Sequence, residues 1–251
     1  MQERQDRNRF GPVFKDGLVF AAYLLITVFL TWPLITRFQT SIYGAPADNL
    51  GEIWTMWWST SFASLGGTAS FCPIIGYPFG TGFAALPIEP VSYLFNRVML
   101  LFANEVVVFN IRTFSSFFIS GITMYCLVMY LARDRRVAFV GGLAYLLGPY
   151  HAVHAMYMGG GIAAVQWMPL FILLLLRFID RPSVSRGGML ALGGILVAGT
   201  SIHYGLFMAI FTAAFLLGRL VFRFISSRRD RAGAGRTLLL NKNTLQPSPR
   251  P

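Results

Sequence analysis

The side chains best suited to chemistry fall into a few short stretches of this 251-residue chain. In APADNLGEIW, Asp48 and Glu52 stand four residues apart, which puts both carboxylates on one face of a helix. Two carboxylates so placed can bind a divalent metal or serve as a general base. The same letters also spell a helix start, with Asp48 or Asn49 as the cap and Glu52 in the first turn. In GPYHAVHAMYMGGG, His151 and His154 are two of the three histidines in the chain. Three residues apart on a helix, they can meet as a metal pair or a proton relay. No HExxH motif completes such a site, and a pair of interfacial histidines beside Tyr150 and Tyr157 is the competing reading. His203 and Tyr204 fall in an expected tight turn, where polar residues collect in any case. Glu89, between Pro87 and Pro90, is a further candidate, and Gly159, Gly160 and Gly161 read as a phosphate nest or as a turn. There is no Walker loop and no Gly-x-Ser-x-Gly elbow. Cys72 and Cys126 have no metal-type spacing.

The elements that must position these groups follow from composition. Hydrophobic residues make up 55% of the chain and charged residues only 12%, too few to cover the surface of a soluble fold. A lipid bilayer removes that need. The formal net charge of +11 would suit nucleic acid, but the basic residues sit as short clusters between apolar runs. That is the positive-inside pattern, and nucleic acid is excluded as a partner.

The fold class expected is all-α: a polytopic transmembrane bundle of six spans at 17–35, 113–132, from 137 to an ambiguous end near Gly148-Pro149, 162–176, 187–202 and 205–222. Residues 1–16 form a basic cytoplasmic head, 17–222 the membrane domain, and 223–251 a basic, disordered cytoplasmic tail. The first span reads as an uncleaved anchor, because its apolar run is too long for a signal peptide. The loop 36–105 falls outside. Two amphiphilic stretches in it, 53–65 and 91–102, are too short to span and read as interfacial helices. Trp54, Trp57 and Trp58 suit the headgroup level, and 72–82 is rich in Pro and Gly and reads as loop. Both termini are cytoplasmic in a multi-pass cell-membrane protein, with only Arg37 and Arg97 outside and Arg112 near the outer edge.

This layout resembles the GT-C superfamily of integral-membrane glycosyltransferases, in its bacterial uncharacterised and YfhO-like branches. The strings that carry the resemblance are TWPLITRF, PADNLGEIWTMWW, YPFGTGF, VVVFNIRTFSSFFISG, AFVGGLAYLLGPYHAVHAMYMGGG and QWMPLFILLLLRF, within residues 17–222. The resemblance implies sugar transfer from a polyprenyl-phosphate-linked donor at the outer face, with membrane lipid as surroundings. It also implies that an acidic residue of the first outer loop is the catalytic base or metal partner. On this chain that is Asp48, with Glu52, Glu89, His151, His154 and His203 as supporting candidates and a divalent metal as the candidate cofactor. Members carry more spans and often a soluble C-terminal domain, so the chain is expected to be the N-terminal part of something larger, acting with further membrane subunits. The other class of function open to it is a non-enzymatic transport, lipid-handling or assembly subunit. Cysteine labelling at Ser41, Asp134, His154, Ser183 and Ser227 is expected to read outside, inside, outside, inside, inside; labelling of position 227 from outside would overturn this topology.

Overall fold

Proline, glycine and a few capping side chains decide where the helices of this chain begin and end. The computed structural model describes residues 2–68, 71–82 and 89–243, with side chains described between 16 and 225 of these. It divides into two units, residues 1–206 and 207–251, each taken by itself.

α1 (Gln2–Leu30) opens the first unit. It stops short of residue 35, because Pro33 has no amide hydrogen to donate and its ring crowds the preceding turn. α2 (Asp48–Ser61) and α3 (Pro90–Met99) form at the two amphiphilic stretches of the long loop. Between them the Pro- and Gly-rich segment carries a two-residue antiparallel pair, β1 (Phe71–Cys72) with β2 (Thr81–Gly82). α4 (Glu105–Ala132) starts at Asn104, whose side chain accepts from the Val107 amide at 2.9 Å, and ends at Arg133 with φ of 55°. Asp134 then caps α5 (Arg135–Leu146), accepting from the amides of Arg136 and Val137. α6 (Pro149–Tyr157) begins with its proline at the first helical position, where no donor is needed. α7 (Trp167–Asp180) follows, then α8 (Val184–Thr200), capped by Ser183. α9 (Ile202–Asn243) starts after a single intervening residue, Ser201.

The fold is all-α, but the six uninterrupted spans are not what these helices provide. Among the described residues two helical stretches are long and apolar enough to cross a membrane, Glu105–Ala132 and Ile202–Ile225. Asp16–Leu30 and Val184–Thr200 are apolar but shorter. The expected third span is split at Gly148-Pro149, and the fourth starts only at Trp167 because the glycines at 159–161 make a turn. At about 1.5 Å per residue, the 14 residues of α7 reach about 21 Å, less than a hydrocarbon core of about 30 Å. His203 and Tyr204, expected in a turn, lie in the first turn of α9. The backbone of α9 also runs on into the segment expected as a disordered tail, as far as Asn243; residues 244–251 lie outside the described residues.

Packing within the first unit centres on Tyr23, which is fully buried. Its hydroxyl donates to the Phe139 carbonyl at 2.9 Å and its ring stacks on Phe139 at 5.5 Å. A Cβ on Gly142 would overlap the Tyr23 hydroxyl, and one on Gly121 would stand 3.2 Å from its ring. The two glycines therefore let α1, α4 and α5 close around one aromatic side chain.

A second centre is polar. Asn110, buried in α4, donates to the carbonyls of Phe38 at 2.9 Å and Ser41 at 2.8 Å and accepts from the Tyr43 amide at 3.1 Å. Asn49, in the first turn of α2, donates to the Ala45 and Met156 carbonyls at 2.9 and 2.8 Å. The connection from α1 to α2 is thus tied to α4 on one side and to α6 on the other. Asn110→Leu leaves one amide and two carbonyls of that connection unpaired, and is expected to cost on the order of 3 kcal/mol or more. Unfolding followed by denaturant titration of the detergent-solubilised chain checks this; a midpoint equal to that of the wild type would remove the tether from the account.

Candidate functional site

One face of α4 carries Arg112, Ser115, Ser116 and Ile119, spaced so that they point the same way. They line a cavity of about 430 Å³ with residues of α2, α3, α8 and the turn after α6. The lining is two-natured. Glu52, Arg112, Ser92, Gln166 and Thr200 are polar, while Val91, Phe95, Phe109, Trp167 and Leu196 are apolar.

Its electrostatic centre is an ion pair between Nη1 of Arg112 and Oε2 of Glu52, at 3.3 Å, with the two side chains only 14% and 24% exposed. The Asn96 amide, oriented by its hydrogen-bond network, accepts from Arg112 at 3.2 Å and donates to the Ser92 carbonyl at 3.3 Å. Helices α2, α3 and α4 therefore meet on one guanidinium. Arg97 adds a second link between α3 and α2, donating to the Ser59 carbonyl at 2.8 Å.

The glycine turn supplies the opposite wall. A Cβ on Gly159 would come within 2.6 Å of Oδ1 of Asn49. Cβ atoms on Gly160 and Gly161 would overlap the carboxylates of Glu52 and Glu89. Consecutive Cα atoms are about 3.8 Å apart, so the two carboxylates are close neighbours. Burial, with the Glu52 charge adding to it and Arg112 opposing, pushes the Glu89 carboxyl up to about 7. Glu89 holds its proton in a range where the unfolded chain would lose it, so this group makes stability fall as pH rises from 4.5 towards 7.

His151 is buried behind the cavity, its ring stacked on Phe117 at 4.1 Å and its Nε2 2.8 Å from Oγ of Ser116. It fixes a hydroxyl that faces the cavity. His154 turns the other way, stacking on Tyr150 at 3.9 Å with Nδ1 2.7 Å from the Tyr150 carbonyl. The two histidines thus serve separate contacts. His203 is exposed, whereas its neighbour Tyr204 is buried and bonds the Ile162 carbonyl and Tyr150. Asp48 is exposed in the first turn of α2 and outside the cavity lining, and no side chain caps that helix.

The structure therefore brings together Glu52 and Glu89 from the candidate list, with His151 one contact away. It adds Asn96, Gln166 and Thr200, which no motif singles out. Gln166 Oε1 and Thr200 Oγ1 are buried in the cavity wall without a hydrogen-bond partner. Buried polar atoms are normally satisfied, so these two point to a polar ligand or to water. Among the described residues no group of three or more metal-ligating side chains forms.

Gly160, at φ of 53°, is expected to tolerate no side chain. Gly160→Ala should destabilise by about 1–3 kcal/mol, and Glu52→Ala in the same chain should recover part of it. Gly51→Ala, in α2 with nothing near its added Cβ, should not destabilise and should gain up to about 1 kcal/mol of helix preference. Additive effects at 160 and 52 in a double-mutant cycle would sever the contact between turn and carboxylate.

Comparison with protein-family models, with curated proteins and with solved structures found no match to this chain.

Proposed function

We propose that the chain is an integral-membrane glycosyltransferase-like protein that uses a polyprenyl-phosphate-linked sugar, with Glu52, Glu89 and Arg112 at its reacting centre. The observation that carries this reading is the shielded Glu52–Arg112 ion pair, with Glu89 beside it, at one side of a cavity whose wall is mostly apolar. A lipid-linked sugar phosphate likewise joins a compact charged group to a large apolar chain. Two helical stretches long and apolar enough to cross a bilayer support a membrane location. The shorter helices are proposed to complete the crossings in line with the basic clusters at their ends.

In the proposed reaction an acceptor hydroxyl gives its proton to a carboxylate of the pair. Its oxygen bonds to the anomeric carbon as the bond from that carbon to the phosphate oxygen breaks. The electron pair stays on the departing phosphate, where the Arg112 guanidinium stabilises it. A carboxyl whose pKa lies near neutrality suits this role, because it is both ionised and basic at working pH. When both are ionised, Glu52 and Glu89 would be the residues to hold a divalent ion, and such an ion would supply positive charge against a phosphate.

A second reading, lipid handling without transfer, is favoured by Arg112 itself: a shielded charge about two turns into a long apolar helix marks a binding or transport path as readily as a catalytic one. Nanodiscs holding the full chain, supplied with polyprenyl-phosphate sugars and assayed for released polyprenyl phosphate, separate the two. Glu89→Gln should lower transfer by about 100-fold or more. Transfer by the wild type should rise with pH through about 7 as Glu89 ionises. Asp48→Asn tests the carboxylate that the resemblance favours, and should stay near wild type. Full transfer by both Glu52→Gln and Glu89→Gln would remove the pair from the mechanism. Donor binding without any release would move the chain to the lipid-handling class.

A further inference from the structure

At the other end of the same helices lies a second hollow, of about 400 Å³. Arg133 at the end of α4, Arg177 and Arg181 at the end of α7, and Arg186 in the first turn of α8 all line it, with Asp180 as the acid in that lining. Two of the four arginine side chains are held in place. Arg186 donates to the Arg181 carbonyl at 2.7 Å, the Arg177 guanidinium sits 5.6 Å over the Tyr130 ring, and Tyr130 donates to Asp180 at 2.5 Å. Asp180 is thus engaged by a hydroxyl, and the lining holds four arginines against this one acid. Arginines that only set topology need not converge on one hollow from three elements.

The hollow has an apolar neighbour. Phe20, Cys126 and Met129 line an adjoining groove of about 590 Å³, Tyr130 and Arg177 belong to both walls, and the one acid of the groove, Asp16, is neutralised by Arg135 at 2.9 Å. A cationic hollow opening beside an apolar groove fits a charged head and a hydrocarbon chain on one molecule. Tyr130 lies 18 positions beyond Arg112 on α4, about 27 Å along the axis. That nearly equals the hydrocarbon thickness of about 30 Å, so the two cavities belong to opposite leaflets.

We propose that the hollow at the ends of α4 and α7 binds the phosphate of an anionic lipid of the cytoplasmic leaflet, through Arg133, Arg177, Arg181 and Arg186. Guanidinium groups bind phosphate oxygens in pairs of parallel hydrogen bonds, and an excess of four arginines over one acid repels the quaternary ammonium that a zwitterionic head carries beside its phosphate, so the hollow selects for the net negative lipid. The proposal rests on the membrane reading and is independent of sugar transfer at the other cavity.

The test uses the full chain in phosphatidylcholine nanodiscs doped with phosphatidylglycerol, with retained lipid counted by native mass spectrometry. Wild type should retain phosphatidylglycerol over phosphatidylcholine, and retention should fall as salt rises. Arg177→Gln with Arg186→Gln should lower retention about tenfold, and Arg37→Gln should leave it unchanged. Arg177→Lys with Arg186→Lys should keep part of it, and this variant decides if the Gln pair fails to fold. Equal retention of both lipids by the wild type, or normal retention by a well-folded Gln pair, overturns the proposal. Displacement of the lipid by inorganic phosphate at equal concentration would assign the hollow to a soluble anion instead. A chain that does not enter nanodiscs overturns the proposal together with the membrane reading, whereas indifference to lipid charge in an incorporated chain strikes this proposal alone.

Discussion

Everything near the candidate site hangs on Asn110. An amide in an apolar helix is tolerated only when its polar atoms find partners, and both ends of this side chain do, across some seventy residues of sequence. The bonds hold the segment 38–43 against α4, and that segment delivers the chain to Asn49, which repeats the device towards α6. α2 can therefore present Glu52 to Arg112 at only one height along α4. A looser connection would let the carboxylate slide past the guanidinium, and the glycine turn would have nothing to close against.

The charge balance of the cavity is unusual for a pair meant only to stabilise. One arginine serves two carboxylates, and a shielded like-charge pair raises the energy of the state in which both are ionised. Replacing such a group by apolar side chains would often be neutral or favourable for folding. The three glycines make the same point sterically. Each gives up space to an oxygen-bearing side chain, which leaves Asn49, Glu52 and Glu89 in contact with backbone where any other residue would push them away.

Much of the architecture was legible from residue order. The amphiphilic stretches became α2 and α3, and the helix between the candidate carboxylates and the histidines carries the lone arginine of the string VVVFNIRTFSSFF. Six spans were not legible correctly, because hydropathy averages over Pro33, Pro149 and the glycine turn, each of which breaks a helix while leaving the apolar run intact. In the site, the spacing of Asp48 and Glu52 was read as a shared face, yet only Glu52 reaches the cavity. Spacing gives relative phase on a helix but not which side meets a partner. The partners of Glu52 and Glu89 come from α4 and from a turn far along the chain, and no local pattern announces them.

Tyr23 imposes an order on synthesis. Its hydroxyl bonds a carbonyl 116 residues downstream. A ribosome adding about 5–20 residues per second needs roughly 6–23 s to reach that partner. For that interval α1 stands alone with its tyrosine uncovered, while Thr27 and Thr31 already satisfy themselves on the carbonyls one turn back. The newborn helix is therefore unfinished at one ring until α4 and α5 arrive.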